Sequence, residues 1–307
     1  MQNKILTIGI PTYNDHSGLR KVLTSIFSQT TPQMLTSDIE ILVSDNSTDN
    51  KIEELLNSEF SNRNIVYIKN QKNIFYDRNI DQVLTKSTGL FCWTLSNNDP
   101  IEKDCLANLV KVINQNAEAN HIFLDFEDNS VTKENTIKKF DNYPNFLEQN
   151  NYNVVGGLIS QNIFNKKTLP QDRSKYFGNE WIHVSTFLEI TADKPFIVIK
   201  NCLAKDPNNI CQWANNGKGF TTFNKLFKLI KESNLGKVSK DKLLNAMVSD
   251  LPRNTASAKI WGLKFKMNNI LILFKNYHQY PTKLISSLFI YLTPSSILIL
   301  FKKWLKK

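Results

Sequence analysis

The 307-residue sequence predicts an α/β fold: a Rossmann-like, mostly parallel sheet with helices on both faces, plus a basic helical extension at the C-terminus. Three observations predict it. Strand-length apolar runs alternate with segments whose apolar residues recur at helical spacing, which is how a parallel sheet covered on both sides reads in sequence. Three of the four early runs end abruptly in clusters of polar residues. The net charge of +10 is concentrated at one end of the chain.

The elements follow in order. "KILTIGI" is a near-continuous apolar run, and Leu19, Val22, Leu23, Ile26 and Phe27 then mark a helix. "IEILVS" is the second strand; Ser47, Thr48 and Asp49 are cap-type residues that open a helix through Ile52, Leu55 and Leu56. "NIVYIK" is the third, followed by a helix through Ile80, Val83 and Leu84 that stops at Gly89. "LFCWTL" is the fourth and finishes in Ser96-Asn97-Asn98-Asp99, after which Pro100 is a natural first helical residue ahead of Leu106, Leu109, Val110 and Ile113. "HIFLDF" closes the series. Residues 128–153 are Asn- and charge-rich and read as a surface excursion. Apolar runs return over 154–200, around "YFGNEWIHVSTFLEI", and from about residue 220 the pattern is helical and basic.

Composition bounds the possibilities. A hydrophobic fraction of 41% and an aromatic fraction of 11% exclude a disordered chain. Cys92, Cys105, Cys202 and Cys211 form no C-x-x-C pair, so they read as reduced core thiols, neither a zinc site nor a disulfide frame. "MQNKILTIGIPTYN" has a short apolar run before Pro11 and no small-residue cleavage site, which predicts a cytoplasmic protein. Glycine phosphate cradles are missing: there is no G-x-x-x-x-G-K-[ST], and Pro11-Thr12-Tyr13-Asn14 stands where a dinucleotide fold carries G-x-G-x-x-G.

Ligands of such sheets bind at the carboxyl ends of the strands, where strand order reverses. The polar stretches there are "PTYND", "SDNSTD" and "SNND". Asp45 is placed to accept hydrogen bonds from a base or ribose, although the same residues also suit an ordinary turn and helix cap. Asp99 faces the same choice between a cap and a metal ligand. A hard divalent ion takes only one or two protein carboxylates when substrate phosphates supply the rest.

In its N-terminal half the chain resembles glycosyltransferase family 2 enzymes of the GT-A fold, through "IGIPTYND", "ILVSDNSTDN" and "STGLFCWTLSNNDPI" in order. "ISQNIFNKK" and "YFGNEWIHV" resemble the abequosyltransferase-type subgroup, which attaches deoxy sugars to bacterial surface-polysaccharide intermediates; the likeness spans residues 6–213. The resemblance implies that Pro11, Thr12, Tyr13 and Asp45 frame a donor nucleoside. It also implies that Asn97-Asn98-Asp99 replaces an Asp-rich D-x-D triplet, with Asp99 its metal-contacting member. Two amides in place of acids lower the local negative charge and predict weakened affinity for Mg²⁺ or Mn²⁺.

The implied activity is transfer of a hexose or deoxyhexose from a nucleoside-diphosphate sugar to a lipid-linked oligosaccharide, with inversion, in O-antigen or capsule biosynthesis. The Asp-to-Asn changes also fit a catalytically silent sugar-nucleotide or glycan-binding protein that docks partner enzymes at the membrane.

Such a reaction develops charge on the leaving diphosphate, and the acceptor hydroxyl needs a carboxylate to take its proton. Glu180 in "GNEWIHV" follows a Gly-Asn turn and opens an apolar helical stretch, a spacing that suits a base and a helix-start Glu satisfying the dipole equally; the resemblance to the subgroup is what implies that it is the base. Asp125, Glu127 and Asp128, at the end of "HIFLDF", are the alternatives. His183, three residues after Glu180, is assigned to the metal or diphosphate, with a hydrogen-bonded core histidine as the competing assignment. Trp181 is expected in the core. Arg78, Asn97 and Asn98 are assigned to the nucleotide.

The tail separates from all this. Residues 253–307 hold ten basic residues and no acid, which leaves 28 basic residues to balance the 28 acidic ones in the rest of the chain. Its aliphatic density is wrong for a surface that tracks nucleic-acid phosphates. Lysines with Trp261, Phe289 and Trp304 suit interfacial helices on an anionic membrane. Residues 284–301 are uncharged, but Pro294 interrupts them, which favours lying on a bilayer over spanning it. The expected division is a catalytic domain over 1–215 and a helical, basic, amphipathic, membrane-associating region over 216–307.

Overall fold

The computed structural model describes residues 4–125, 137–150, 157–200 and 217–304. The chain forms two compact units, one made of residues 1–146 and 155–208 and the other of 147–154 and 209–307.

The first unit begins as the alternation predicts: β1 (Leu6–Thr12), α1 (His16–Phe27), α2 (Pro32–Ser37), β2 (Ile39–Asp45), α3 (Lys51–Glu59), β3 (Ile65–Lys69), α4 (Tyr76–Lys86), β4 (Phe91–Thr94), α5 (Cys105–Gln115) and β5 (His121–Asp125). It continues through β6 (Ile137–Phe140), α6 (Tyr143–Gln149), within which the unit boundary falls, β7 (Asn162–Asn165), α7 (Ile182–Thr191) and β8 (Phe196–Lys200). The eight strands of the described residues form one sheet in the order β3-β2-β1-β4-β7-β5-β8-β6. The pairs β1–β2, β2–β3, β1–β4 and β5–β8 are parallel, while β7 runs antiparallel to β4 and β5, and β6 antiparallel to β8.

Strand order reverses beside β1, whose partners β2 and β4 lie on either side of it, and this places a crevice at the carboxyl ends of β1 and β4. In register, Thr12 stands level with Asp45. The apolar runs are buried on both faces: Ile8, Ile10, Val43 and Trp93 join Leu19, Val22, Leu23 and Ile26 of α1 in one core. The chain enters β4 past Gly89, where a Cβ would lie 2.5 Å from the Thr7 backbone nitrogen. Only glycine fits there.

Three local expectations are corrected, and one strand joins the sheet that no local pattern marked. Pro100 does not open a helix; α5 starts at Cys105, after Asp104 takes a left-handed φ of 65°. The N-cap of α3 is Asn50, with the Asp49 carboxylate accepting from the Lys51 N–H at 3.3 Å. α4 ends at Lys86, before Gly89. Finally, an antiparallel strand from "ISQNIFNKK" stands between β4 and β5. Cys92 and Cys105 are buried thiols, and burial pushes the Cys92 pKa up to about 12. Cys202 and Cys211 lie outside the described residues.

The second unit is helical: α8 (Lys218–Glu232), α9 (Lys237–Ser249), α10 (Leu251–Ile260), α11 (Met267–Tyr277), α12 (Pro281–Leu292) and α13 (Ser295–Trp304). Its centre is aromatic, with the Phe227 and Tyr277 rings 4.6 Å apart. The Tyr291 hydroxyl accepts from the Lys266 N–H at 2.7 Å and the Asn269 amide at 3.1 Å, which ties α12 to the start of α11. The uncharged run breaks at Thr293-Pro294, between α12 and α13. Among the described residues no helix is long and apolar enough to cross a membrane.

Candidate active site

The end of β2 is a closed polar knot. Asp45 is fully buried, and its Oδ1 accepts from the Ser47 N–H at 2.7 Å, while Oδ2 accepts from the Tyr67 hydroxyl at 2.8 Å and Lys69 Nζ at 2.9 Å. Burial alone would raise its pKa, but these donors outweigh burial and hold the carboxyl below its ordinary value. Asn46 extends the knot: its N–H donates to Thr12 O at 2.9 Å, its Nδ2 to Asn73 Oδ1 at 2.8 Å, and its Oδ1 accepts from the Ile74 N–H at 3.0 Å. A nucleoside reaching Asp45 would therefore compete with Tyr67 and Lys69. Above it, Tyr13 is half-exposed and Pro11 partly buried. Thr12 is buried, with an Oγ1 that has no hydrogen-bond partner among the described residues. A polar cavity of about 270 Å³ opens at this edge, lined by Asn14, His16, Asp49, Lys51 and Ile52.

The end of β4 is built differently. Asp99 caps no helix. Its Oδ2 accepts from the Ser160 hydroxyl at 2.6 Å, and that oxygen in turn accepts from the Ser96 N–H at 2.9 Å. Ser160 is held by its backbone, whose carbonyl accepts from Trp93 Nε1 at 2.8 Å. Burial raises the Asp99 pKa and Ser160 offsets only part of the rise. Asn97 Nδ2 donates to Asp15 Oδ2 at 3.3 Å, and the Asn98 N–H donates to Ser96 Oγ at 3.3 Å. The turn can lie on the first turn of α1 because residue 18 is glycine: a Cβ there would meet Asn98 Oδ1 at 2.3 Å and Asn97 O at 2.6 Å.

Glu180 is held from across the chain. Its backbone is left-handed at φ 64°, a strained conformation for a non-glycine residue. Asp77 fixes it: Oδ2 accepts from the N–H groups of Gly178 at 2.8 Å and Glu180 at 2.9 Å, and Oδ1 from that of Ile182 at 3.3 Å. Glu180 precedes α7, so the helical spacing that paired it with His183 does not apply: its side chain is exposed, whereas His183 is 1% exposed.

His183 Nε2 donates to Gly157 O at 3.2 Å, and burial lowers its pKa to about 4, so the ring is neutral at physiological pH. Its Nδ1 is buried without a hydrogen-bond partner among the described residues. Trp181 is buried as expected, with its ring 5.7 Å from that of His183.

Tyr76 joins the pieces, and nothing in the sequence marked it. The ring is partly exposed and stands 6.2 Å from that of His183. Its hydroxyl titrates above the ordinary phenol value, first through desolvation and then through the negative charges of Asp77, Asp99 and Glu180. Asp99 and Glu180 therefore act on one neighbourhood. Arg78 stacks its guanidinium over Phe177 at 4.4 Å. Of the alternative bases, Asp125 ends β5 and is half-buried, while Glu127 and Asp128 lie outside the described residues.

Among the described residues no three His, Cys, Asp or Glu side chains gather as a metal cluster. Asp99, a carboxylate whose pKa burial raises, nevertheless fits a hard divalent ion completed by phosphate oxygens. His183 offers a neutral ring with a bare Nδ1, the form that ligates metals.

Comparison with known proteins agrees with this geometry. The profile of Glycosyl transferase family 2 matches residues 7–175. Abequosyltransferase RfbV of Salmonella typhimurium strain LT2 is 33% identical over 116 residues, 37% of this chain and 34% of that protein, so the match spans about a third of the relative's length. Two solved structures share the fold at low identity. S. aureus TarS 1–349 in complex with UDP-GlcNAc has a TM-score of 0.55 at 12% identity, covering 94% of this chain and 89% of that one. Mannosyltransferase PcManGT from Pyrobaculum calidifontis, in complex with GDP-Man and Mn²⁺, has a TM-score of 0.53 at 14% identity, covering 95% and 88%. With more than half of its length matched by the family profile and a GT-A sheet beneath the site, the chain belongs to glycosyl transferase family 2.

Proposed function

We propose that the protein transfers a hexose or deoxyhexose from a nucleoside-diphosphate sugar to a lipid-linked oligosaccharide of a bacterial surface polysaccharide, O-antigen or capsule, with inversion. It would work in the cytoplasm, on the inner face of the membrane. The observation that carries the reading is the clamp of Asp77 on the turn that presents Glu180, with Asp99 and Glu180 both adding negative charge around the Tyr76 hydroxyl.

Glu180 removes the proton of the acceptor hydroxyl as that oxygen bonds to the anomeric carbon and the nucleoside diphosphate leaves. Asp99 faces the diphosphate, where Mg²⁺ or Mn²⁺, when bound, would neutralise charge on the leaving group. Asn97, Asn98 and Arg78 serve the same end of the donor. Pro11, Thr12 and Tyr13 frame the nucleoside, and Asp45 sets the floor beneath it. Asp77 positions the base through the backbone of residues 178–182. The similarity of about a third of the chain to an abequosyltransferase supports a deoxy sugar; the acid-free basic tail supports a lipid-borne acceptor and an anionic membrane as partners.

The test is a thermal-shift series with UDP, GDP, CDP and dTDP, each with and without Mn²⁺, run beside transfer assays on Glu180→Gln. Nucleotide binding to the native state raises Tm by mass action. The expected outcome is stabilisation by one nucleotide, retained in Glu180→Gln, with turnover lowered about a thousandfold, within the range of general base catalysis. Unchanged turnover removes Glu180 from the mechanism. Stabilisation without turnover in the wild type would favour the silent binding protein, a reading supported by the amides at 97 and 98.

A further inference from the structure

Two neighbouring helices of the second unit expose more apolar surface than any fold requirement explains. On α11, Asn269, Leu273 and Tyr277 are buried, while Met267, Leu271 and Phe274 are 62%, 60% and 49% exposed. α12 repeats the pattern, with Leu284, Ser287 and Tyr291 buried and Ile285, Phe289 and Leu292 exposed by 66%, 73% and 59%. Both outward sets stand at i, i+4 and i+7, so each helix carries a continuous apolar stripe opposite its packed face. The two helices pack against each other. A helix that is apolar on both faces belongs in a less polar medium than water.

We infer that the α11–α12 face docks on an anionic lipid bilayer, its apolar stripes entering the interface while flanking lysines meet the headgroups. The inference rests on the membrane-surface part of the reading above and names the element responsible. Charge selects the occupant: Lys264, Lys266, Lys275 and Lys283 border or lie on these helices, and residues 253–307 contain no acid. Lysine is depleted at the centre of protein–protein interfaces but is the usual flank of an interfacial helix. A second copy docking by two-fold symmetry would set lysines against lysines. Nucleic acid would satisfy the lysines and leave six exposed apolar side chains in water.

The experiment is flotation of the full chain with vesicles of phosphatidylcholine, alone or with phosphatidylglycerol, followed by sedimentation velocity. Wild type should float with the anionic vesicles only. Leu271→Asn with Phe289→Asn should bind at least about tenfold more weakly, with an unchanged nucleotide-dependent thermal shift. Lys275→Gln and Lys283→Gln should each cost about fivefold at low salt.

A double variant that floats like wild type keeps the membrane location but overturns this face. Wild type that never floats overturns both. Dimers dissolved by the double variant, without vesicle binding, replace the bilayer with a second copy. If the double variant loses its thermal transition, Leu271→Trp decides instead: fluorescence quenching by brominated lipid beyond that of wild type supports the face, and its absence overturns it.

Discussion

Asp45 and Asp99 both sit where a strand of the same sheet gives way to a loop, yet the protein treats them in opposite ways. Asp45 receives an N–H, a phenol and an ammonium, and is held below the ordinary carboxylate range. Asp99 receives the Ser160 hydroxyl and is held above that range by burial. A carboxylate whose folded pKa is depressed is stabilised in its charged form by its own protein; one whose pKa burial raises is a place where a cation or a ligand would favour the charged form. The partners that make the difference lie 22 and 24 residues from Asp45 and 61 residues from Asp99.

Substitution should break the comparison cleanly. Asp99→Asn carries the largest expected effect: a fall of about a hundredfold or more in kcat/KM, the scale of removing one electrostatic contact to the transition state, with Tm unchanged or slightly raised. Loss of stability instead would make Asp99 a second structural acid.

Asp45→Asn should do the reverse. It takes from Lys69 its carboxylate partner, leaving the Asp49 carbonyl, and costs about 2 kcal/mol of stability, below the usual cost of breaking a buried pair because Lys69 is partly exposed. Stability measured against pH in the ligand-free protein sharpens the contrast. Asp45, depressed, adds stability above the ordinary value of 3.8 that is lost as pH falls through its folded value. Asp99, raised, is tolerated when neutral, and its ionisation costs stability as pH rises from 3.8 through its folded value. The Asp45→Asn deficit should therefore fade in acid, and any Asp99→Asn gain should grow toward neutral pH. The smallest effect belongs to Arg78→Ala: losing the stack on Phe177 costs at most about 1 kcal/mol, and a tenfold loss of nucleotide affinity would show that Arg78 also reaches phosphate.

The first four strands were legible because Ile8, Ile41, Val66 and Phe91 belong to apolar runs that local periodicity marks. β7 was not. "NIFN" is short and flanked by asparagines, and it is a strand because β4 and β5 lie on either side of it. Pro100 carried a helix-start signal that the tether of Asp99 to Ser160 overrode. At the site, the strand-end acids could be listed from sequence, but which of them was neutralised could not, since Lys69 and Ser160 are ordinary residues until the sheet forms. Asp77 and Tyr76 were missed although they adjoin Arg78. Their significance lies in the hydrogen bonds of Asp77 to the Glu180 turn and in the charge of Asp99 and Glu180 around Tyr76, which no local window contains.

The clamp on Glu180 also says something about assembly. Its three hydrogen bonds join residues 101, 103 and 105 positions apart. Closing a loop of that length is entropically expensive and contributes to high contact order, so the left-handed turn at Glu180 should be among the last features to form, after the parallel strands have docked. During synthesis the early parallel strands would exist before the turn at Glu180 does, so the crevice at the switch point would take shape before the residue proposed as the base is set in place.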